Sequence, residues 1–127
     1  MNIKNLSKGY DADAGMDVIL HEDVTFEPLT TTIVELELQL NLPDYYMGML
    51  IARTSAAKQG LVVAMCPIDP HYNGKVNAIV YNISQNTVQY KKGESFCQLV
   101  IVPFITIDEV PHRKDGVRSD GKFGSTN

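Results

Sequence analysis

The chain has no tryptophan, only two cysteines, and no apolar run long enough to cross a bilayer. Cys66 and Cys97 fall into no metal-ligand spacing. The opening stretch MNIKNLSKGYDADAG is polar and lacks the apolar region of a secretory signal. Two thiols without such a signal point to a reducing, cytoplasmic setting. A membrane helix needs roughly 18 consecutive apolar residues, so no membrane partner is expected. Cations are also scarce. Eleven Lys and Arg face fifteen Asp and Glu, a formal net charge of −4, with a pI near 5.2. That excludes a broad electropositive footprint for nucleic acid. A polyanionic ligand would have to be held by a few local cations, backbone N–H groups or a metal. Neither an internal repeat nor a low-complexity tract interrupts the chain.

What is present is β-patterned. With 127 residues, 44% hydrophobic and 20% charged, a single globular domain over 1–127 is expected. A domain this small gains from oligomerisation, which buries more apolar surface. TTTIVELELQLNLP alternates Val34, Leu36, Leu38, Leu40 and Leu42 with Glu35, Glu37, Gln39 and Asn41, the period of a half-buried strand. MGMLIA, GLVVAM, KVNAIVYNIS, TVQY and FCQLVIVPFITIDEV read as further strands. Turn signals separate them at Pro28-Leu29, Pro43-Asp44, Asn73-Gly74, Asn86 and Lys92-Gly93. The expected fold is all-β: a sandwich, jelly roll or small barrel. Only RTSAAKQG has helical character, with Thr54 or Ser55 as its cap and Gly60 as its stop.

Five polar constellations stand out, each with two readings. DADAGMDV gathers Asp11, Asp13 and Asp17, either a magnesium-seeking acidic cluster or a solvated loop entering a strand. ARTSAAKQG brings Arg53, two hydroxyls and a helix start together, either an anion site or a capped short helix. In PIDPHYNG, Pro70 restrains Asp69. The held carboxylate suits a general base and Tyr72 suits stacking on a ring, or the segment is an Asx-type turn with a structural tyrosine. His71 reads as an exposed loop residue, with no Ser or Cys nucleophile evident beside it. KKGESFCQLVI sets Gln98 in an apolar strand, where a buried amide needs partners. RKDGVRSDGKFGSTN mixes charges, three glycines and one aromatic. It is either a frayed tail or an arm in which Arg118 forks onto phosphate, Gly124 lets backbone approach a ligand and Phe123 stacks on a base. It is no phosphate loop of the Gly-Lys-Ser/Thr type.

Taken in order, these segments resemble the five motifs of the trimeric dUTPases. AGMDV, RTSAAKQGL, IDPHYNG, GESFCQLV and RSDGKFGST match the first to the fifth, and the resemblance covers nearly the whole chain. It implies a jelly-roll subunit in a homotrimer, three active sites between subunits, and an arm over 112–127 that closes a neighbour's site. It implies hydrolysis of dUTP to dUMP and pyrophosphate with Mg²⁺ on the triphosphate, which keeps uracil out of DNA and supplies dUMP. On this resemblance Asp69 orients and deprotonates the attacking water. Tyr72 lies beneath the deoxyribose, where a ribose 2′-OH would collide. Backbone near Pro67, Ile68 and Asn77 reads the uracil edge. Thr54, Ser55 and Gln98 contact phosphate, while Arg53 holds the motif together or assists Asp69. Asp17 reaches Mg²⁺ through water. Phe123 covers uracil, and Arg118, Ser125 and Thr126 hold phosphates.

Three positions depart from that pattern. Cys66-Pro67 stands where Gly and an apolar residue are common, His71 replaces a frequent acid, and Lys122 replaces a usual Gly. The compact length is that of viral and prophage members. Two rival readings share the fold. A dCTP deaminase would carry a Glu where Ile79 stands, and an Ile cannot shuttle a proton. A nucleotide-gated binding partner of a repressor, as some phage members are, would need a partner surface that the sequence does not display.

Overall fold

The computed structural model describes residues 1–116 and 118. Nine strands and one short helix run in the order β1 Leu6–Ser7, β2 Met16–Val18, β3 Val24–Phe26, β4 Thr31–Gln39, β5 Tyr46–Ala52, α1 Thr54–Lys58, β6 Leu61–Val63, β7 Lys75–Asn82, β8 Val88–Tyr90 and β9 Cys97–Pro103. They form three sheets, ordered β1-β2-β9-β5, β4-β7-β6 and β3-β8, with every pairing antiparallel. The all-β expectation therefore holds, with the single short helix where RTSAAKQG places it.

The alternation in β4 has its expected consequence. Val34, Leu36 and Leu38 turn inward, followed by Leu40 and Leu42, while Ile33 and Glu35 face out. The inward residues meet Val18, Leu20, Phe26, Leu61, Val80, Phe96 and Leu99 in one core. Phe26 and Phe96 pack edge to face at 5.2 Å. Burying each such side chain contributes about 1.5–3 kcal/mol. Two polar side chains among the described residues are buried, Asn82 and Ser95. Asn82 donates from Nδ2 to the carbonyls of Phe26 (3.0 Å) and Asn86 (2.8 Å), and accepts at Oδ1 from the Ser84 amide (3.0 Å) and hydroxyl (2.7 Å). All its hydrogen-bonding capacity is used, so it ties β7 to β3 without a desolvation cost left open.

Local structure departs from the sequence reading at three places. The strand expected over FCQLVIVPFITIDEV stops at Pro103. Its ladder partner β5 begins at Tyr46, which opposes Pro103, and the pairing ends one residue further on, where the Phe104 amide donates to the Tyr45 carbonyl at 2.9 Å. Thr54 and Ser55 lie inside α1 rather than capping it. Arg53, in extended conformation, holds the cap position with no side-chain hydrogen bond. Near Asn73-Gly74 the tight turn lies earlier, over Asp69–Tyr72, where the Tyr72 amide donates to the Asp69 carbonyl at 3.3 Å and His71 takes the left-handed φ of 66°. Gly60, at φ 95°, does end the helix as expected.

Candidate active site

The first cluster is strand-borne. Asp17 on β2 opposes Gln98 on β9, and Gln98 opposes Ile51 on β5, so the ladder itself aligns the acid and the amide. Gly15 makes the approach possible, because a Cβ there would overlap the Gln98 side-chain amide. Just past β5, Arg53 lies 3.4 Å (Nε) from Asp17 Oδ1 and donates from its guanidinium to the Ser95 carbonyl at 3.2 Å. Its backbone N–H donates to Phe96 at 2.9 Å. Thr54 and Ser55 follow at once, exposed in the first turn of α1. Arg53 thus pairs with a partly exposed carboxylate, and two exposed hydroxyls follow it in the chain at the start of α1.

Two residues overlooked in the sequence support this cluster. Ser95 is buried, and its hydroxyl donates to the Cys97 carbonyl at 2.7 Å, which shapes the carbonyl run that Arg53 grips. The Tyr90 hydroxyl donates to Gln59 at 2.6 Å and so fastens the far end of α1. Desolvation pushes its phenol pKa up, opposed by a hydrogen bond with Ser55 and the charge of Arg53. Nothing in TVQY or KQG signalled this contact, because the two segments meet only in three dimensions.

The acids of DADAGMDV divide. Asp13 accepts the Tyr10 amide at 2.8 Å and closes its own turn, while Asp11 is exposed. Among the described residues no group of three His, Cys, Asp or Glu side chains could hold a metal. The three-acid cluster is therefore corrected to Asp17 alone. One partly exposed carboxylate still fits magnesium, which retains several waters and takes one or two carboxylates plus substrate phosphates.

The second cluster is loop-borne. Ile68 and Gly48 exchange backbone hydrogen bonds of 2.8 and 3.0 Å, hitching the hairpin 66–74 to the edge of β5 away from β9. Both backbone groups of Ile68 are engaged there. Pro67 is exposed and has no N–H to offer. Asp69 carries the carboxylate, with Arg118 Nη2 at 3.1 Å from Oδ2. Tyr72 packs against the core, and its hydroxyl donates to the Lys75 carbonyl at 3.0 Å. Asn77, one step along β7, opposes Glu35 and points Nδ2 to that same carbonyl at 3.5 Å. From Gly48 to Ala52 is four residues of strand, so the two clusters sit about 13 Å apart along β5. Phe123, Gly124, Ser125 and Thr126 lie outside the described residues.

Cys97, between the clusters and the core, is buried, and its thiol pKa is pushed up to about 12 by desolvation and then by Asp17. It is no nucleophile, since the thiolate is the reactive form. Cys66 is exposed. Ile79 is partly buried on the outer face of β7 and brings no carboxyl there.

The all-β chain thus carries a strand-borne group of Asp17, Arg53 and Gln98, and on a separate hairpin a carboxylate with a held aromatic ring. A model of the dUTPase family matches residues 1–127, and the chain belongs to that family. It is 31% identical over 122 residues to the deoxyuridine 5′-triphosphate nucleotidohydrolase of Clostridium kluyveri, covering 92% of this chain and 85% of that protein. It is 30% identical over 118 residues to the Pol polyprotein of equine infectious anemia virus. That match covers 91% of this chain, which spans only 10% of the polyprotein's length. The solved native dUTPase of that virus superposes with a TM-score of 0.79 at 25% identity, over 92% of this chain and 97% of that one.

Proposed function

We propose that the chain hydrolyses dUTP to dUMP and pyrophosphate, with Asp69 as the base that takes a proton from the attacking water. The observation that carries this reading is the separation of labour between the clusters. The strand-borne group of Asp17, Arg53, Thr54, Ser55 and Gln98 suits the triphosphate, and the docked hairpin presents one carboxylate beside one ring. Phosphoryl transfer to water needs in-line positioning and charge neutralisation more than covalent chemistry. Magnesium supplies part of the neutralisation when bound, and Asp17 would hold it through water. Arg53 orients Asp17 for that task. Tyr72, pinned at its hydroxyl, keeps its ring rigid beneath a deoxyribose, where a 2′-OH would collide. Pro67, Ile68 and Asn77 line the edge offered to uracil. Arg118, now beside Asp69, would move to a phosphate oxygen when the triphosphate competes for it.

The arm over 112–127 completes the site. Phe123 covers the uracil, while Ser125 and Thr126 hold phosphates across the closing Gly124. Excluding bulk water in this way strengthens every charge contact inside. The active assembly is a homotrimer. In support, one end of the outer face of β4, β7 and β6 carries an apolar patch, with Ile33 opposite Ile79 and Val62 opposite Tyr81, while Glu35 and Lys75 occupy the other end. Ile105, which is 95% exposed, adds surface suited to a second copy. No helix among the described residues is long and apolar enough to cross a membrane, in keeping with work in the cytoplasm. Nothing on the surface of the described residues favours the repressor-partner reading.

The test is pyrophosphate release from dUTP, dCTP, dTTP and UTP with magnesium, alongside ammonia release from dCTP. Pyrophosphate from dUTP alone is expected. Ammonia from dCTP would overturn the reading of Ile79, and silence on all four nucleotides would overturn hydrolysis.

A further inference from the structure

The hairpin that carries Asp69 and Tyr72 is fastened to one continuous stretch, Glu35–Asp44. The Lys75 ammonium reaches Glu35 at 3.3 Å, and the Gln39 amide donates to the Asn73 carbonyl at 3.2 Å. The His71 amide donates to the Leu42 carbonyl at 2.8 Å, and His71 Nε2 lies 2.8 Å from Asp44 Oδ1. The last contact is the one nearest the chemistry, since His71 stands between Asp69 and Tyr72 in the turn.

Backbone strain is concentrated around that same contact. Among the described residues only Leu29, Tyr45 and His71 are non-glycine residues with positive φ. Tyr45 (68°) adjoins Asp44, and His71 (66°) is its partner. Such conformations are strained and persist only where surrounding structure over-determines them. Here two of the three flank one side-chain contact. Asp44 is three-quarters exposed, and an exposed pair adds little to global stability. Its effect must therefore fall on the local geometry of the turn.

We propose that Asp44 and His71 are positioning residues: their contact sets the turn that presents Asp69 and Tyr72, so that capture of the deoxynucleotide and rejection of the ribonucleotide depend on a pair acting through those two side chains. The proposal rests on the dUTP reading above. It also gives a role to the histidine that replaces an acid of the family pattern. An acid at that position would repel Asp44, whereas a histidine attracts it.

The test uses Asp44→Ala, His71→Gly and the double variant of the full chain. Glycine accepts φ 66° without strain, so His71→Gly removes the contact while easing the backbone. KM and kcat are measured for dUTP and UTP, with melting temperature and amide hydrogen exchange over residues 69–75. Each single variant is expected to raise KM for dUTP about three- to tenfold, the scale of one hydrogen bond, and to narrow the preference for dUTP over UTP. Exchange at the hairpin amides should quicken while the melting temperature holds. The double variant should be no worse than either single, because the two residues act through one contact. Unchanged KM and unchanged exchange would overturn the proposal, as would a lowered melting temperature and kcat with KM intact. Should the parent chain itself release no pyrophosphate from dUTP, the functional reading fails separately. Hairpin exchange then decides the pair: faster exchange supports it, unchanged exchange overturns it.

Discussion

The two clusters are built by opposite means. Asp17 and Gln98 are neighbours because β2 and β9 are in register, and neither can move without breaking a ladder. Asp69 and Tyr72 sit on a turn held by a two-bond bridge to Gly48 and by single contacts to Leu42, Asp44 and Lys75. On the proposed reading, the ladder places groups that meet a fixed array of phosphate oxygens. The tethered turn would place groups that act on water and select a sugar, and it can be adjusted one contact at a time. Changes in the first region should therefore cost fold and function together, and changes in the second should cost function alone.

The largest expected effect tests the second half of that statement. Asp69→Asn keeps the shape and removes the proposed base, so turnover should fall by at least about 10²–10⁴-fold, with nucleotide binding retained. Steady-state kinetics alongside calorimetric titration with dUTP would check it, and full activity in this variant would remove Asp69 from the chemistry. Next in size is Gly15→Ala, which tests the ladder. The new methyl overlaps the Gln98 amide, and overpacking of this kind costs about 1–3 kcal/mol. Thermal melting should drop by about 3–15 °C, and activity should fall with it. Activity lost at an unchanged melting temperature would break the comparison.

The smallest effect concerns Cys97. Burial holds its thiol pKa up at about 12, above the ordinary value of 9.0, so the folded chain keeps a proton that the unfolded chain releases. That contribution is fully present below about pH 9 and is lost as pH rises toward 12. Denaturant midpoints across that range should decline, and Cys97→Ala should flatten the slope. Thiol labelling of the native chain at neutral pH should modify Cys66 and spare Cys97.

Much of the fold was legible because β4 buries one face, and its period of two states this directly. The same reasoning carried FCQLVIVPFITIDEV too far. Ile105, Ile107 and Val110 have strand propensity, yet they stay exposed because a strand ends where its partner does, and the partner lies fifty residues earlier in the chain. The site was legible as residue types in order: a turn with a restrained Asp, an Arg before small hydroxyls, a Gln in an apolar strand. Their grouping was not. Asp17 and Arg53 are brought together only through β9, which forms last in sequence. The acidic trio misled for a simpler reason, since Asp13 satisfies its own turn and has nothing left to share.

The Gly48–Ile68 bridge has a consequence for the solubility of the chain. β5 is the terminal strand of the β1-β2-β9-β5 sheet, seven residues rich in Met, Leu and Ile. An open edge of that kind invites pairing with another molecule and, from there, aggregation. The hairpin blocks the middle of this edge with its own backbone. Shortening or deleting the loop would therefore expose a sticky border as well as remove a carboxylate, and variants that loosen it should be watched for insolubility before they are judged inactive.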